Sequence, residues 1–109
     1  MANWTEVGPA ADYPESCQSA CRVAETPVVV FRIDGKLHAI ENICPHAGLP
    51  LDQGERQGLV ITCPYHAYTF NLRNGQNVDD PMDEPVKVFP VRERDGVVEV
   101  DLDREGMES

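Results

Sequence analysis

Apolar and polar positions alternate over short stretches of this chain, and each stretch ends at a turn signal, the period-two pattern of half-buried strands. Residues 4–7 read as a first strand, closed by Gly8-Pro9, and residues 17–23 as a strand leading into a hairpin. Val28-Val29-Val30-Phe31-Arg32-Ile33 is dominated by β-branched and aromatic side chains, and Asp34-Gly35 is a two-residue hairpin turn into 36–41. Residues 59–62 and 68–72 follow, the second turning at Asn74-Gly75; 86–92 and 97–102 then flank Asp95-Gly96, another hairpin signal. In the last segment Val98, Val100 and Leu102 share one face and Glu99 and Asp101 the other. No helical period emerges anywhere. So many short strands predict an all-β fold, a small antiparallel β sandwich or barrel, with Trp4, Phe31 and Phe89 in its core.

Three segments break the pattern. Residues 42–52 and 63–71 are loops projecting from strand ends, the first made tight by Gly48, Pro50 and Gly54. Residues 79–85 form a third loop, acidic and stiffened by Pro81 and Pro85, and 104–109 read as a frayed tail. With 109 residues and 41% apolar content, 1–109 is expected to be one domain with a modest core.

Nine basic against nineteen acidic residues give a formal charge of −10. Phosphate backbones demand basic surface, so nucleic acid is not an expected partner. An acidic surface either steers the protein onto a basic partner face, with salt-sensitive rates, or simply keeps it soluble. No stretch approaches the roughly twenty apolar residues that span a bilayer. The start carries no basic region followed by an apolar one, so no signal peptide and no membrane role are expected, and a cytoplasmic location is the default.

The chemistry lies in two short boxes. Cys44-Pro45-His46 and Cys63-Pro64-Tyr65-His66 each offer one sulfur and one imidazole, with sixteen residues between the boxes. Two Cys and two His suit an asymmetric iron–sulfur cluster, with the thiolates on one iron and the imidazoles on the other. They also suit a tetrahedral zinc, although structural zinc favours tighter spacing and nothing here resembles a finger helix. Leu49, Pro50 and Leu51 are placed to keep water from such a site. The other cysteines, Cys17 and Cys21, are four apart on an expected strand, about 13 Å between Cα atoms and too far for a disulfide. Free thiols are expected there, with no second metal site. His38 reads as an ordinary surface residue.

The spacing Cys44-x-His46 and Cys63-x-x-His66 resembles that of the Rieske iron–sulfur proteins. Its flanks, Asp34-Gly35-Lys36-Leu37-His38-Ala39-Ile40 and Phe70-Asn71-Leu72-Arg73-Asn74-Gly75, are similar to those of the soluble Rieske ferredoxins, and the likeness runs over roughly 4–102. The resemblance implies one [2Fe-2S] cluster in a cluster-binding subdomain of two loops. Cys44 and Cys63 would hold an inner iron, His46 and His66 an outer one, and 79–85 would be the proline loop covering it. It further implies a one-electron carrier between a reductase, as donor, and an oxygenase or similar acceptor, not an enzyme on its own. The alternative is the small Rieske-like subunit of an assimilatory nitrite reductase. A redox sensor acting through Cys17 and Cys21 is a third, weaker reading.

Departures from the respiratory branch narrow the picture. Leu49 and Tyr65 stand where that branch has a bracing disulfide, and Tyr68 and Phe70 where it has a Ser and a Tyr that donate hydrogen bonds to cluster sulfur. Fewer donors leave the reduced cluster less stabilised, so a potential near the bottom of the Rieske range, roughly −150 mV, is expected.

Overall fold

The computed structural model describes residues 4–45, 48–64, 68–80 and 82–102. Among the described residues ten strands run in chain order: β1 Trp4–Pro9, β2 Gln18–Val23, β3 Thr26–Ile33, β4 Lys36–Glu41, β5 Glu55–Gln57, β6 Val60–Thr62, β7 Thr69–Asn71, β8 Val88–Phe89, β9 Val91–Arg94 and β10 Val97–Asp101. One 3₁₀ turn, Ala10–Asp12, is the only helical element among the described residues. All pairings are antiparallel, in three sheets ordered β1-β10-β9, β2-β3-β4-β8 and β5-β6-β7. The expected all-β sandwich-like architecture is therefore the one observed.

The four-stranded sheet is the middle layer. Along β3, Val29, Phe31 and Ile33 join Ile40, Ile61, Phe70 and Leu72 in one buried cluster, while Val28 and Val30 join Ala39, Phe89, Val98 and Val100 in another. A strand buried on both faces reads as a continuous apolar run, and that is why 28–31 has no polar interruption. The β5-β6-β7 sheet covers one face and the β1-β10-β9 sheet the other.

Two-residue turns set the registers. Asp34 (φ +52°) and Gly35 (φ +80°) join β3 to β4, and Asp95 (φ +53°) and Gly96 (φ +78°) join β9 to β10, both with the doubly positive φ that suits strand twist. The Glu15 carboxylate accepts the amides of Asp34 and Gly35 at 2.7 and 2.9 Å. Ala24 and Glu25 make the β2–β3 turn with φ of +48° and +71°, an uncommon state for residues with a Cβ.

Several boundaries depart from the sequence expectation for identifiable reasons. β1 continues through Gly8-Pro9 because a bulge between Glu6 and Gly8 absorbs the extra residue. Segment 86–92 is two strands: β8 pairs with β4, β9 pairs with β10, and Pro90, which has no N–H to give, marks the crossing between sheets. Asp101 is fully buried, not on a wet face, where β10 runs between β1 and β9. Trp4 is only half-buried, its ring lying 4.1 Å beneath the Arg92 guanidinium.

Candidate metal centre

Both cysteine boxes sit on loops at the β4, β6 and β7 ends. The first loop leaves β4 at Asn42 and ends before β5; the second joins β6 to β7. Each is closed by the same device. The Cys44 amide donates to the Leu49 carbonyl at 2.8 Å, and the Cys63 amide to the Tyr68 carbonyl at 2.7 Å, so each cysteine clasps the chain five residues on. In the first loop the Gly48 amide also returns to the Cys44 carbonyl at 2.8 Å, with Gly48 at φ +67°. Gly54 closes the gap between the loops: its amide donates to Leu51 at 2.9 Å, and a Cβ there would overlap the Thr62 carbonyl, one residue before Cys63.

The two thiols end in the same place. Cys44 and Cys63 are 0% and 1% exposed, neither forms a disulfide, and both belong to the buried cluster containing Leu51, Ile61, Phe70 and Leu72. Two cysteines brought to one apolar cluster without a disulfide between them offer the sulfur half of a Cys₂His₂ donor set. His46 and His66, Tyr65, Pro81 and the 104–109 tail lie outside the described residues. Of the residues expected to shield the site, Leu51 is buried, whereas Leu49 and Pro50 are exposed. Phe70 is buried among the same residues as both cysteines, and Tyr68 packs at their margin.

The other thiols are on the far side of the central sheet. Cys17 and Cys21 pack against the second cluster, with Val23, Val28 and Val30. Burial pushes the Cys21 thiol up, partly countered by a hydrogen bond with Tyr13, and a raised thiol is a poor nucleophile. That environment weighs against a sensor acting through these cysteines. His38 lies on β4 opposite Phe31 and is half-buried, not the fully exposed surface residue expected.

The third loop runs along the second. Val78 donates to the Thr69 carbonyl at 2.8 Å, and Thr69 Oγ1 donates to Asp79 Oδ2 at 3.0 Å. Buried Asn77 bends the chain by accepting the amides of Asp79 and Asp80 at 2.9 and 3.1 Å. Gly75 sits against β8's approach: its carbonyl accepts Val86 N at 2.9 Å, and a Cβ there would overlap the Val86 carbonyl. Residues 74–86 carry four acids and no base, and exposed Val78 and Met82 lie among them. The sequence reading did not foresee β5, whose Glu55 and Gln57 are exposed and which exists through its pairing with β6.

Comparison with known proteins agrees with this geometry. The Rieske [2Fe-2S] domain family matches residues 3–90. The ferredoxin subunit of an anthranilate 1,2-dioxygenase from Burkholderia cepacia is 35% identical over 103 residues, covering 94% of each chain. A chain in a solved complex of reduced oxygenase and oxidised ferredoxin in carbazole 1,9a-dioxygenase is 30% identical, with a TM-score of 0.83, over 99% of this chain and 100% of that one. A longer chain in the reduced complex between oxygenase and ferredoxin in the same system is 28% identical at a TM-score of 0.83; this chain covers 94% of itself and spans 29% of that chain.

Proposed function

The chain belongs to the Rieske [2Fe-2S] domain family, and from that premise we propose that it is a ferredoxin, carrying one electron at a time from a reductase to a terminal oxygenase. The observation that carries this reading is the pair of buried cysteines, Cys44 and Cys63, neither in a disulfide, delivered to one apolar cluster by two loops of the same closure. When bound, one Rieske cluster supplies reversible one-electron storage.

The ligand assignment is part of the proposal. Cys44 and Cys63 hold the inner iron, and His46 and His66, two and three residues further along their loops, hold the outer one. Neutral imidazoles in place of two thiolates make the site less negative than an all-cysteine one and its reduction easier. Buried Leu51 and Phe70 keep water from the sulfurs. With Phe70 lacking a hydroxyl, the midpoint potential lies near the bottom of the Rieske range, roughly −150 mV. The domain spans 1–109, with cluster loops at 42–52 and 63–71 and the proline loop at 79–85.

The partner reading draws on charge and kinship. Relatives named above are a dioxygenase ferredoxin subunit and a chain from an oxygenase–ferredoxin complex. The four acids of 74–86, tied by Asp79 to the strand after the second box, give a partner with basic residues around an apolar contact something to meet. Among the described residues no helix is long and apolar enough to cross a membrane. The four cysteines form no disulfide, which suits a reducing compartment and supports a cytoplasmic carrier.

Electron paramagnetic resonance of the dithionite-reduced protein tests the assignment. A rhombic two-iron signal of low average g is expected; silence with bound zinc would overturn it. Reductase-dependent reduction followed by reoxidation with an oxygenase supports the carrier, whereas stable co-purification with a large haem or flavin chain would favour the nitrite reductase subunit.

A further inference from the structure

Two side chains fasten the first ligand loop, and we propose that Gln18 and Asn42 are positioning residues for Cys44, holding the sulfur where the inner iron needs it. This rests on the assignment of Cys44 as a cluster ligand. Gln18 is the first residue of β2, and its Nε2 donates to the Asp52 carbonyl at 2.7 Å and the Gly54 carbonyl at 2.8 Å. A single amide thus ties the end of the ligand loop to a strand 34 and 36 residues earlier.

Asn42 closes the same loop from its other end. It is 8% exposed, and its Oδ1 accepts the amides of Leu51 and Asp52 at 2.7 and 2.8 Å, while Nδ2 donates to Asp52 Oδ1 at 3.1 Å. Its own amide donates to the Pro27 carbonyl at 2.9 Å, fixing it to the start of β3. The chain therefore leaves the central sheet at Asn42 and returns to that side chain at Leu51, with Cys44 in the short span between. Five side-chain hydrogen bonds converge on 51–54, from two residues that are not themselves expected ligands. Groups that orient metal ligands from behind are typically worth 10- to 100-fold in metal retention.

The test uses the cluster-loaded protein and the near-isosteric Gln18→Met, which removes both donors but keeps side-chain bulk, beside Asn42→Ala. Tyr13→Phe is the control: it deletes a hydrogen bond of similar length, Tyr13 hydroxyl to Val7 carbonyl at 2.8 Å, in the opposite core. Visible absorbance follows cluster loss to an iron chelator well below every melting temperature, alongside paramagnetic linewidth and midpoint potential. Gln18→Met is expected to lose the cluster about tenfold faster, with a broadened signal and a shifted potential, and Asn42→Ala at least as fast. Tyr13→Phe is expected to lower the thermal midpoint and leave all three unchanged. The proposal is overturned if Gln18→Met matches the parent in all three, or if Tyr13→Phe, with its lowered thermal midpoint, shows the same changes. Should Gln18→Met not fold, Asn42→Ala is judged by the same criteria. A parent that holds no two-iron cluster would instead overturn the ligand assignment itself.

Discussion

Three glycines separate two kinds of backbone constraint, and replacing each with alanine should show them adding. Gly35 has φ +80° and nothing within 4 Å of a Cβ, so Gly35→Ala is charged only for the left-handed conformation, about 1–2 kcal/mol. Gly54 carries no positive φ, but its Cβ would overlap the Thr62 carbonyl and sit 3.1 Å from the Leu51 carbonyl. Both neighbours are backbone, so Gly54→Ala forces a shift worth about 1–3 kcal/mol. Gly75 combines φ +79° with overlap of the Val86 carbonyl and 3.0 Å to Val88 Cγ2, so Gly75→Ala should cost about 2–5 kcal/mol. At roughly 4–8 °C per kcal/mol for a domain near this size, Gly35→Ala falls by about 4–16 °C and Gly75→Ala by about 8–40 °C. Thermal midpoints by circular dichroism, at one scan rate because cluster loss makes unfolding irreversible, give the order Gly75 above Gly54 and Gly35. Gly54→Ala has a second signature: by displacing Thr62 it should loosen Cys63 and speed cluster loss, which Gly35→Ala should not. Equal midpoints for Gly35→Ala and Gly75→Ala would refute the claim that close backbone approach, and not φ alone, requires glycine at 75.

Four further outcomes follow from the same structure. Cys44→Ala and Cys63→Ala should each abolish the visible absorbance of the purified protein, while Cys17→Ala and Cys21→Ala, on the other side of the central sheet, should leave its spectrum unchanged. Burial, reinforced by the neighbouring Cys21, pushes the Tyr13 hydroxyl up to about 12; its raised value means stability is full below about pH 10 and is lost as pH rises towards 12, a loss that Tyr13→Phe should reduce in an alkaline denaturation series. The Gly35 and then Asp34 amides hold the Glu15 carboxyl low, and the Asn42 side chain does the same for Asp52. Both contributions are present above about pH 4 and are lost as pH falls, so thermal midpoints should drop in acid, less steeply for Glu15→Gln. Electron transfer to a partner with a basic docking face should slow as salt is raised from low ionic strength, and a salt-independent rate would remove the acidic loop from the docking account.

What the sequence disclosed was whatever is local. The cysteine–histidine boxes, the apolar run Val28-Val29-Val30-Phe31 and the turns Asp34-Gly35 and Asp95-Gly96 each carry their meaning within a few residues, and the structure has the strands and turns where these signals put them. What it hid depends on distant partners. β5 has no apolar alternation and exists because β6 offers it an edge. The division of 86–92 between two sheets shows only as Pro90, a residue that signals a break without saying where each half goes. Ala24-Glu25 has no glycine or asparagine to announce its turn, and is bent by the pairing of β2 with β3. The clasp of Gln18 on Asp52 and Gly54 spans too much chain for any local pattern.

The same separation explains how four similar thiols acquire two fates. β3 sends Val29, Phe31 and Ile33 to the core that holds Cys44 and Cys63, and Val28 and Val30 to the core beside Cys17 and Cys21. Strand faces alternate residue by residue, so a one-residue slip of β3 against β4 would exchange those faces. It would also rotate Asn42, the residue from which the first cysteine loop departs. The register that prevents this is set at the opposite end of the hairpin, where Asp34-Gly35 permits only a two-residue turn and Glu15 holds both its amides. Cys44 therefore takes its place from a turn nine positions earlier, transmitted along β4 by six paired residues, as much as from its own loop. Rigidity at the proposed metal site begins in the hairpin, and the loop closures at Leu49 and Asp52 complete it.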